Sequence, residues 1–293
     1  MSLFLSLLIG GLTIGAVYAL VALGVVVIYR ISRVVNLAHG GMGVFATFVY
    51  HYTFIRDLGL PTGLAFVLTL FVGAALGVIV ERAFVGPVRH RGSLITLTMT
   101  VGVLLVLTEL TIQLWGPNQP VIKSIFSDRI IHLGSSGVTV HQLGTAGFVV
   151  LLGIGLAVLL NRTRFGTAIE AIAEDPGAAR IVGLPVRRIT TVTWALGGAT
   201  AALAGMLYIH LNSLDQISLT FVLIFSLVAA VLGGFNSLTL AVIGSLGVGV
   251  TFSLTEGYVK TVGFADVLVF FVLVAILLLL RNRQSALEVV PEF

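Results

Sequence analysis

Residues 3–29 read LFLSLLIGGLTIGAVYALVALGVVVIY, without one charged side chain, and Arg30 closes the run. A helix of about 20 apolar residues suffices to cross the hydrocarbon core of a bilayer, so this stretch is long enough to span. A cleavable leader carries its basic residue ahead of a shorter apolar core. Here the first positive charge comes after the run, so the segment reads as a retained first span. Working outward, further apolar segments follow near 34–54, 61–81, 93–115, 144–160, 190–211, 218–233, 238–255 and 264–280. Only short polar breaks separate them, apart from two longer ones at 116–143 and 161–189, which leaves no room for a sizeable soluble domain.

The totals agree. The chain of 293 residues is 10% charged and 58% hydrophobic, with a mean hydropathy of +1.13. Soluble domains carry roughly 25% charged residues, and this chain has too few polar groups to cover a water-facing surface, which excludes a soluble enzyme. With no water in the lipid core each span must satisfy its own backbone, hence a helix. The ten-residue alternating strands of a membrane barrel are not seen. The expectation is an all-α polytopic membrane protein of about nine transmembrane helices, within a range of eight to ten. Cysteine is absent, so disulfides, thiolate metal sites and cysteine nucleophiles are excluded. The 34 glycines suit helices that approach closely in lipid. The pairs Gly11 with Gly15, Gly73 with Gly77, Gly197 with Ala201 and Ala201 with Gly205 read as intramolecular packing seams.

Basic residues set the orientation. Counting alternate sides, one holds Arg30, Arg33, Arg82, Arg89, Arg91, Arg162, Arg164, Arg180, Arg187, Arg188, Arg281 and Arg283. The other holds Arg56, Lys123, Arg129 and Lys260. The richer side is cytoplasmic, which puts the N-terminus outside and the C-terminus inside. The net charge of +4 is then a property of cytoplasmic loops, and no nucleic-acid partner is expected. The short segment 218–233 is the least secure span. Were it a re-entrant dip, the last two arginines would move outside and the asymmetry would weaken.

The loop 161–189 is the most informative break. Phe165, Ala168, Ile169 and Ile172 follow i, i+3, i+4, i+7 spacing, an apolar stripe on a short helix, with Glu170 and Glu174 off the stripe. Asp175-Pro176 then reads as a restart, Asp175 capping and Pro176 in the first helical position. Gly183 is the stop, followed by Pro185. Two short helices are therefore expected, flanked by Arg162, Arg164, Arg187 and Arg188. Such a loop could lie on anionic headgroups or insert into a groove on a soluble partner.

The run Arg162-Thr163-Arg164-Phe165-Gly166, then Ala171-Ile172-Ala173-Glu174-Asp175-Pro176, Ala178-Ala179-Arg180, Gly183 and Pro185, resembles the cytoplasmic loop of bacterial branched-chain amino-acid ABC transporter permeases of the LivH and LivM kind. Ala195 to Ala199 and Ala202 to Leu207 resemble the span that follows it there. So do Gly15 to Gly24, Arg33 to Gly40 and Ala229 to Gly234, so the resemblance covers nearly the whole chain in order. Departures are Gly41, where the family commonly carries an acid, the stretch 236–241, which lacks a Pro-Gly, and the tail Arg281 to Gln284. They bear on the substrate more than on the family.

The resemblance implies one permease domain over 1–293 in the bacterial inner membrane. It pairs with a second homologous permease as a heterodimer, binds two ABC ATPase subunits and receives a small-molecule substrate from a periplasmic binding protein. The implied function is ATP-driven import of branched-chain amino acids, with urea, short amides or other amino acids as rival cargo. The residues agree on one independent point. The only lysines, Lys123 and Lys260, lack the P-loop context, so the chain cannot supply the ATPase and energy must come from a partner or an ion gradient. No cofactor and no metal site is expected, because the histidines at 39, 51, 90, 132, 141 and 210 lack ligand spacing. Residues 165–183 would be the element that docks on an ATPase, with Phe165, Ile169 and Ile172 as apolar anchors and Glu170, Glu174, Asp175, Arg180 and Gly183 setting orientation and ends.

Asn36 and His39, at the cytoplasmic start of the second span, could shape an inner gate, or Asn36 caps the helix and His39 sits at the membrane interface. Glu109 lies inside its span, where a carboxylate is expensive unless it faces protein or water. It could meet a substrate ammonium, pair with a cation on a partner, or be buried in a subunit seam. Asp266 and His210 are near enough the outer surface for solvation to explain them, and Gly134 to Gly137 reads as a turn. The other class of reading is a stand-alone secondary transporter or channel, which would normally show midplane charges or broken helices.

Overall fold

The computed structural model describes residues 2–116, 130–133, 136–209, 218–232, 235, 237–259, 261, 263–272 and 274–275. Lys123, Arg129, His210, Lys260, Arg281 and Arg283, on which expectations fell above, lie outside the described residues. Apart from one two-stranded ribbon, the described chain is helical.

Helix α1 (Ser2–Ser32) carries the opening run. From Gly15 to Ile28 every residue is buried, so the helix is enclosed by others on all sides over its inner half. Arg33, with φ of 54°, ends it. Helix α2 (Ala38–Phe48) is buried at every position but Phe45 and runs on into a wider π-helical stretch, Val49–Asp57. Two spans then line the periphery. Helix α3 (Thr62–Ile79) is followed by a second π-helical stretch (Val80–Val85), the single turn α4 (Gly86–Val88) and a 3-10 turn (Arg89–Arg91). Gly92, at φ of 108°, breaks the chain so that α5 (Ser93–Trp115) can start back.

The ribbon β1 (Ile130–Leu133) and β2 (Ser136–Thr139) is antiparallel with Ile130 opposite Thr139, so the expected turn at Gly134 to Gly137 falls partly within it. Thr139 and Gln142 then form a capping box that opens α6 (Val140–Arg162). After the short helices α7 (Arg164–Glu174) and α8 (Pro176–Ile181) come α9 (Val186–Tyr208), α10 (Ser218–Leu232) and α11 (Leu238–Tyr258). Residues 264–272 are helical again. Six of these helical segments are long and apolar enough to cross a membrane, and Phe221–Val231 is a shorter apolar helix. This is a polytopic helical membrane protein.

Glycines decide which helices meet. A Cβ built on Gly15 would lie 2.8 Å from Leu246 Cα, and one on Gly11 would lie 2.7 Å from Val250 Cα, so α1 and α11 touch backbone to backbone. Ser253 Oγ donates to the Leu7 carbonyl at 2.8 Å across the same seam. Residue numbers rise on α1 as they fall on α11, which makes the pair antiparallel. Gly73 and Gly77 of α3 meet Gly198 and the Trp194 carbonyl of α9, and Gly205 of α9 meets the Gly43 carbonyl of α2. Gly197 faces Ile28 of α1. The small-residue pairs are thus spent inside the chain, as the packing reading expected. Gly41 takes Leu104 of α5 close against α2, so a longer acidic side chain there would force the two helices apart. Helix α10 runs parallel to α1, because Tyr18 packs on Phe225 and Tyr29, farther along α1, packs on Phe235, which follows α10 in the chain.

Candidate functional site

The segment 161–189 forms as its caps dictate. Thr163 Oγ1 accepts the Gly166 N–H at 3.4 Å and starts α7. Asp175 Oδ1 accepts the N–H groups of Gly177 at 2.7 Å and Ala178 at 3.0 Å and starts α8, with Pro176 at its first position. Gly183, at φ of 87°, takes the left-handed turn that ends it. Any side chain on Gly166 would overlap the Leu160 backbone, so α7 is pressed directly onto the end of α6.

The apolar stripe does not face outward. Ile169 and Ile172 are 1% and 2% exposed, packed with Val26 and Val27 of α1, Leu156 and Leu160 of α6, and Leu238 of α11, with Phe165 lying against the same cluster. The expectation that these side chains anchor an outside partner is corrected here. The helix ends of α1 and α6 offer the nearest apolar surface, and burying each isoleucine there is worth about 1.5–3 kcal/mol. The outer surface of the two short helices is different: Glu170, Glu174, Asp175, Arg180 and Gly183 are exposed. Beside them stand Ile181 and Val182, 88% and 76% exposed. Reading for period alone missed this pair, although two apolar residues between a helix end and its glycine stop were visible. Glu170 is within electrostatic reach of Arg30 at the end of α1.

The same end of the molecule carries an open cleft of about 650 Å³ lined by Arg82, Arg180, Arg187 and Arg188 with Pro185 and Val186. Beneath it is a buried carboxylate that sequence reasoning did not single out. Thr191 Oγ1 donates to Glu81 Oε2 at 3.0 Å, and Arg82 Nε donates to Thr191 Oγ1 at 3.4 Å. The hydrogen bond is what makes burial of Glu81 tolerable. Its one sequence signal is a charge at the very end of an apolar segment.

Asn36 and His39 are both fully buried. Asn36 Oδ1 accepts the Ala38 N–H at 3.1 Å, and Thr100 Oγ1 of α5 accepts the Leu37 N–H at 3.3 Å, so the free donors at the start of α2 are met by two different elements. His39 is enclosed by protein. It sits where α1, α2 and α9 meet, close to Gly24 and Thr200, and neither ring nitrogen has a partner among the described residues. The burial follows from Gly24, whose missing side chain leaves the space the imidazole fills. Glu109 faces away from the chain, exposed on α5, and accepts a hydrogen bond from Gln113 Nε2 at 2.8 Å. Asp266 lines a cavity of about 190 Å³ with Glu256, Phe252 and Thr261 at the end opposite the arginines. The described structure therefore separates these candidates: the α7–α8 face at one end, Asn36 and His39 within, Glu109 outside.

Helices enclosed by other apolar helices, with a structured loop held against their arginine-rich ends, define a multi-pass integral membrane protein. Residues 7–277 match the family model described as branched-chain amino acid transport system / permease component. The chain belongs to that family and is a transport permease component. It is 30% identical over 290 residues to the high-affinity branched-chain amino acid transport system permease protein LivH of Salmonella typhimurium, covering 94% of each chain. To LivH of Escherichia coli it is 29% identical over 289 residues, again 94% of each. To BraD of Pseudomonas aeruginosa, a protein with the same kind of description, it is 29% identical over 290 residues, 94% of this chain and 93% of the relative. No solved structure matches the chain.

Proposed function

We propose that this chain is the membrane-spanning permease subunit of an ATP-driven importer of branched-chain amino acids in a bacterial inner membrane. It forms one permease domain, pairs with a second homologous permease as a heterodimer, binds two ATPase subunits and accepts substrate from a periplasmic binding protein. The observation that carries this reading is the end-to-end match to relatives described as branched-chain amino-acid permeases. Nine spans with the N-terminus outside and the C-terminus inside follow from the arginine asymmetry. The antiparallel run of α11 and the parallel run of α10 against α1 support the count, since they bring Phe235 and Leu238 to the arginine-rich end.

In this reading α7 and α8 form the coupling element. Its docking face is Glu170, Glu174, Asp175, Arg180, Ile181, Val182 and Gly183. Phe165, Ile169 and Ile172 transmit the push to α1 and α6, between which they are packed. A two-state shift of α1 against its neighbours then switches access, with Asn36 and His39 holding the inner end of α2 as part of the gate.

Uptake of labelled leucine tests the reading. Deleting the gene should abolish binding-protein-dependent uptake, and the wild-type chain should restore it. The paired change Ile181→Glu and Val182→Glu should leave insertion and stability intact while abolishing uptake. Uptake that persists after deletion, or that follows urea or a short amide in place of leucine, rejects the substrate. ATPase association that survives the paired change rejects the docking face. Because the chain has no cysteine, single cysteines placed at the exposed Leu58 and Ala178 report the two sides by labelling with an impermeant reagent. Labelling of Leu58→Cys from outside and of Ala178→Cys only after the membrane is opened is the expected pattern.

A further inference from the structure

Glu109 is the exposed charged side chain set deepest in the long helices; Glu81 lies farther inside the helical run 62–91 but is buried against Thr191. In α1, α3, α6, α9 and α11 every charged residue lies within three residues of a helix end, where side chains reach headgroups or water. Glu109 stands about 9 Å before the end of α5 at Trp115, counting 1.5 Å per residue. An ionised carboxylate at that depth is costly against lipid.

The rest of the chain does not cover it. Helix α5 turns Thr96, Thr100, Val103, Leu107 and Thr111 inward, and leaves Leu105, Val106 and Leu110 exposed beside Glu109. With Gln113 these form a shallow groove of about 390 Å³. Gln113 supplies one hydrogen bond, and no cation among the described residues lies within ion-pair distance of the carboxylate. Nearer the start of the helix, Thr98 and Gly102 are exposed, and nothing lies within contact of a Cβ built on Gly102. A small-residue turn followed by a polar pair is the pattern by which transmembrane helices associate.

Acyl chains offer no donor to the carboxylate. A second copy of this chain on a two-fold axis would put this same face against itself, and the face carries no basic side chain to meet Glu109. We propose that this face of α5 is the seam for a membrane helix of the second, non-identical permease subunit, which presents a basic or amide side chain to Glu109 at the same depth. The turn at Thr98 and Gly102 lets that helix come close. The inference rests on the reading that the chain works beside a second permease, and it deepens that reading by naming the surface.

The test uses the intact transporter isolated through a tag on this chain. Photo-crosslinking residues are placed at Val106 and Leu110, with exposed Phe71 of α3 and Leu151 of α6 as controls. Val106 and Leu110 should link to one helix of the second permease, within a turn of a Lys, Arg, His, Asn or Gln. The control positions should not. Glu109→Leu should lower the fraction of this chain recovered with that subunit about three- to fifteen-fold, while Glu109→Gln, which keeps an acceptor, stays within about twofold of the wild type. Links to a second copy of this chain, to lipid alone, or from Phe71 or Leu151 instead overturn the seam. Equal recovery of Glu109→Leu and wild type overturns it as well. A transport-competent preparation without any second permease overturns both the seam and the reading beneath it, whereas a second permease linked elsewhere overturns the seam alone.

Discussion

Replacing Gly15 by alanine adds one carbon where the backbones of α1 and α11 touch. That carbon would sit 2.8 Å from Leu246 Cα, 2.8 Å from the Ser245 carbonyl oxygen and 3.2 Å from the Leu246 carbonyl oxygen. All three are backbone atoms, so no side chain can swing aside. Carbon contacts are comfortable at about 3.5–4.0 Å, so α1 and α11 must separate locally by about 0.7–1 Å. The Ser253–Leu7 hydrogen bond, eight residues away on α1, is left in place. Overpacking of this kind costs about 1–3 kcal/mol. Gly147 of α6 is the control, since nothing lies within 4 Å of a Cβ there, and alanine at that position removes only the helix penalty of glycine, about 1 kcal/mol in its favour. Thermal unfolding of the purified protein in detergent, followed by size-exclusion monodispersity, reads both. The melting temperature should fall by about 2–12 °C for Gly15→Ala and hold or rise for Gly147→Ala. Equal shifts for the two variants would refute the claim that this seam is built on glycine.

Ile169→Ala should cost about 2–4 kcal/mol in the same assay, whereas Ile181→Ala, on the exposed face, should stay within about 0.5 kcal/mol; reversed values would place the stripe outside. Asp175→Ala removes both cap hydrogen bonds of α8, a loss of about 1 kcal/mol, and should appear as faster hydrogen exchange confined to residues 176–183. Thr191→Val strands the Glu81 carboxylate and should cost about 1–3 kcal/mol, with a smaller loss when combined with Glu81→Gln, measured as a double-mutant cycle. His39→Leu exchanges a buried ring whose nitrogens have no hydrogen-bond partner among the described residues for an apolar side chain of similar size. It should leave the melting temperature unchanged or higher, and a collapse of stability would show that the imidazole is satisfied by groups not seen in the protein itself.

Much of the α7–α8 element was legible in the sequence because its signals are local. Asp175-Pro176 and Gly183 act through hydrogen bonds and torsions spanning three or four residues, and the structure places both caps where the residues predict them. The direction of the stripe was not legible. Period says that Phe165, Ile169 and Ile172 share a face, and nothing in it says whether a partner or the chain's own α1 and α6 will cover that face. His39 shows the same limit. A histidine at the start of a span reads as interfacial, and its burial depends on Gly24, on a different helix, leaving room for it. Glu81 was hidden for the converse reason. Its partner Thr191 lies far along the chain and carries no charge to advertise the pairing.

By itself the sequence determined that the chain lives in a membrane, roughly where each helix begins and ends, and which loop is structured. Those properties follow from the transfer of apolar residues out of water and from local backbone chemistry. Only the tertiary structure decided which helices are central. In a soluble protein the buried face of a helix is apolar and the outer face polar, so polarity marks the core. In lipid both faces are apolar, and α1 and α2 are no more hydrophobic in kind than the peripheral α3 and α6 that surround them. What separates inside from outside here is how closely backbones approach, at Gly15, Gly77 and Gly205. That depends on which glycines meet, a fact about pairs of distant residues that no single segment contains.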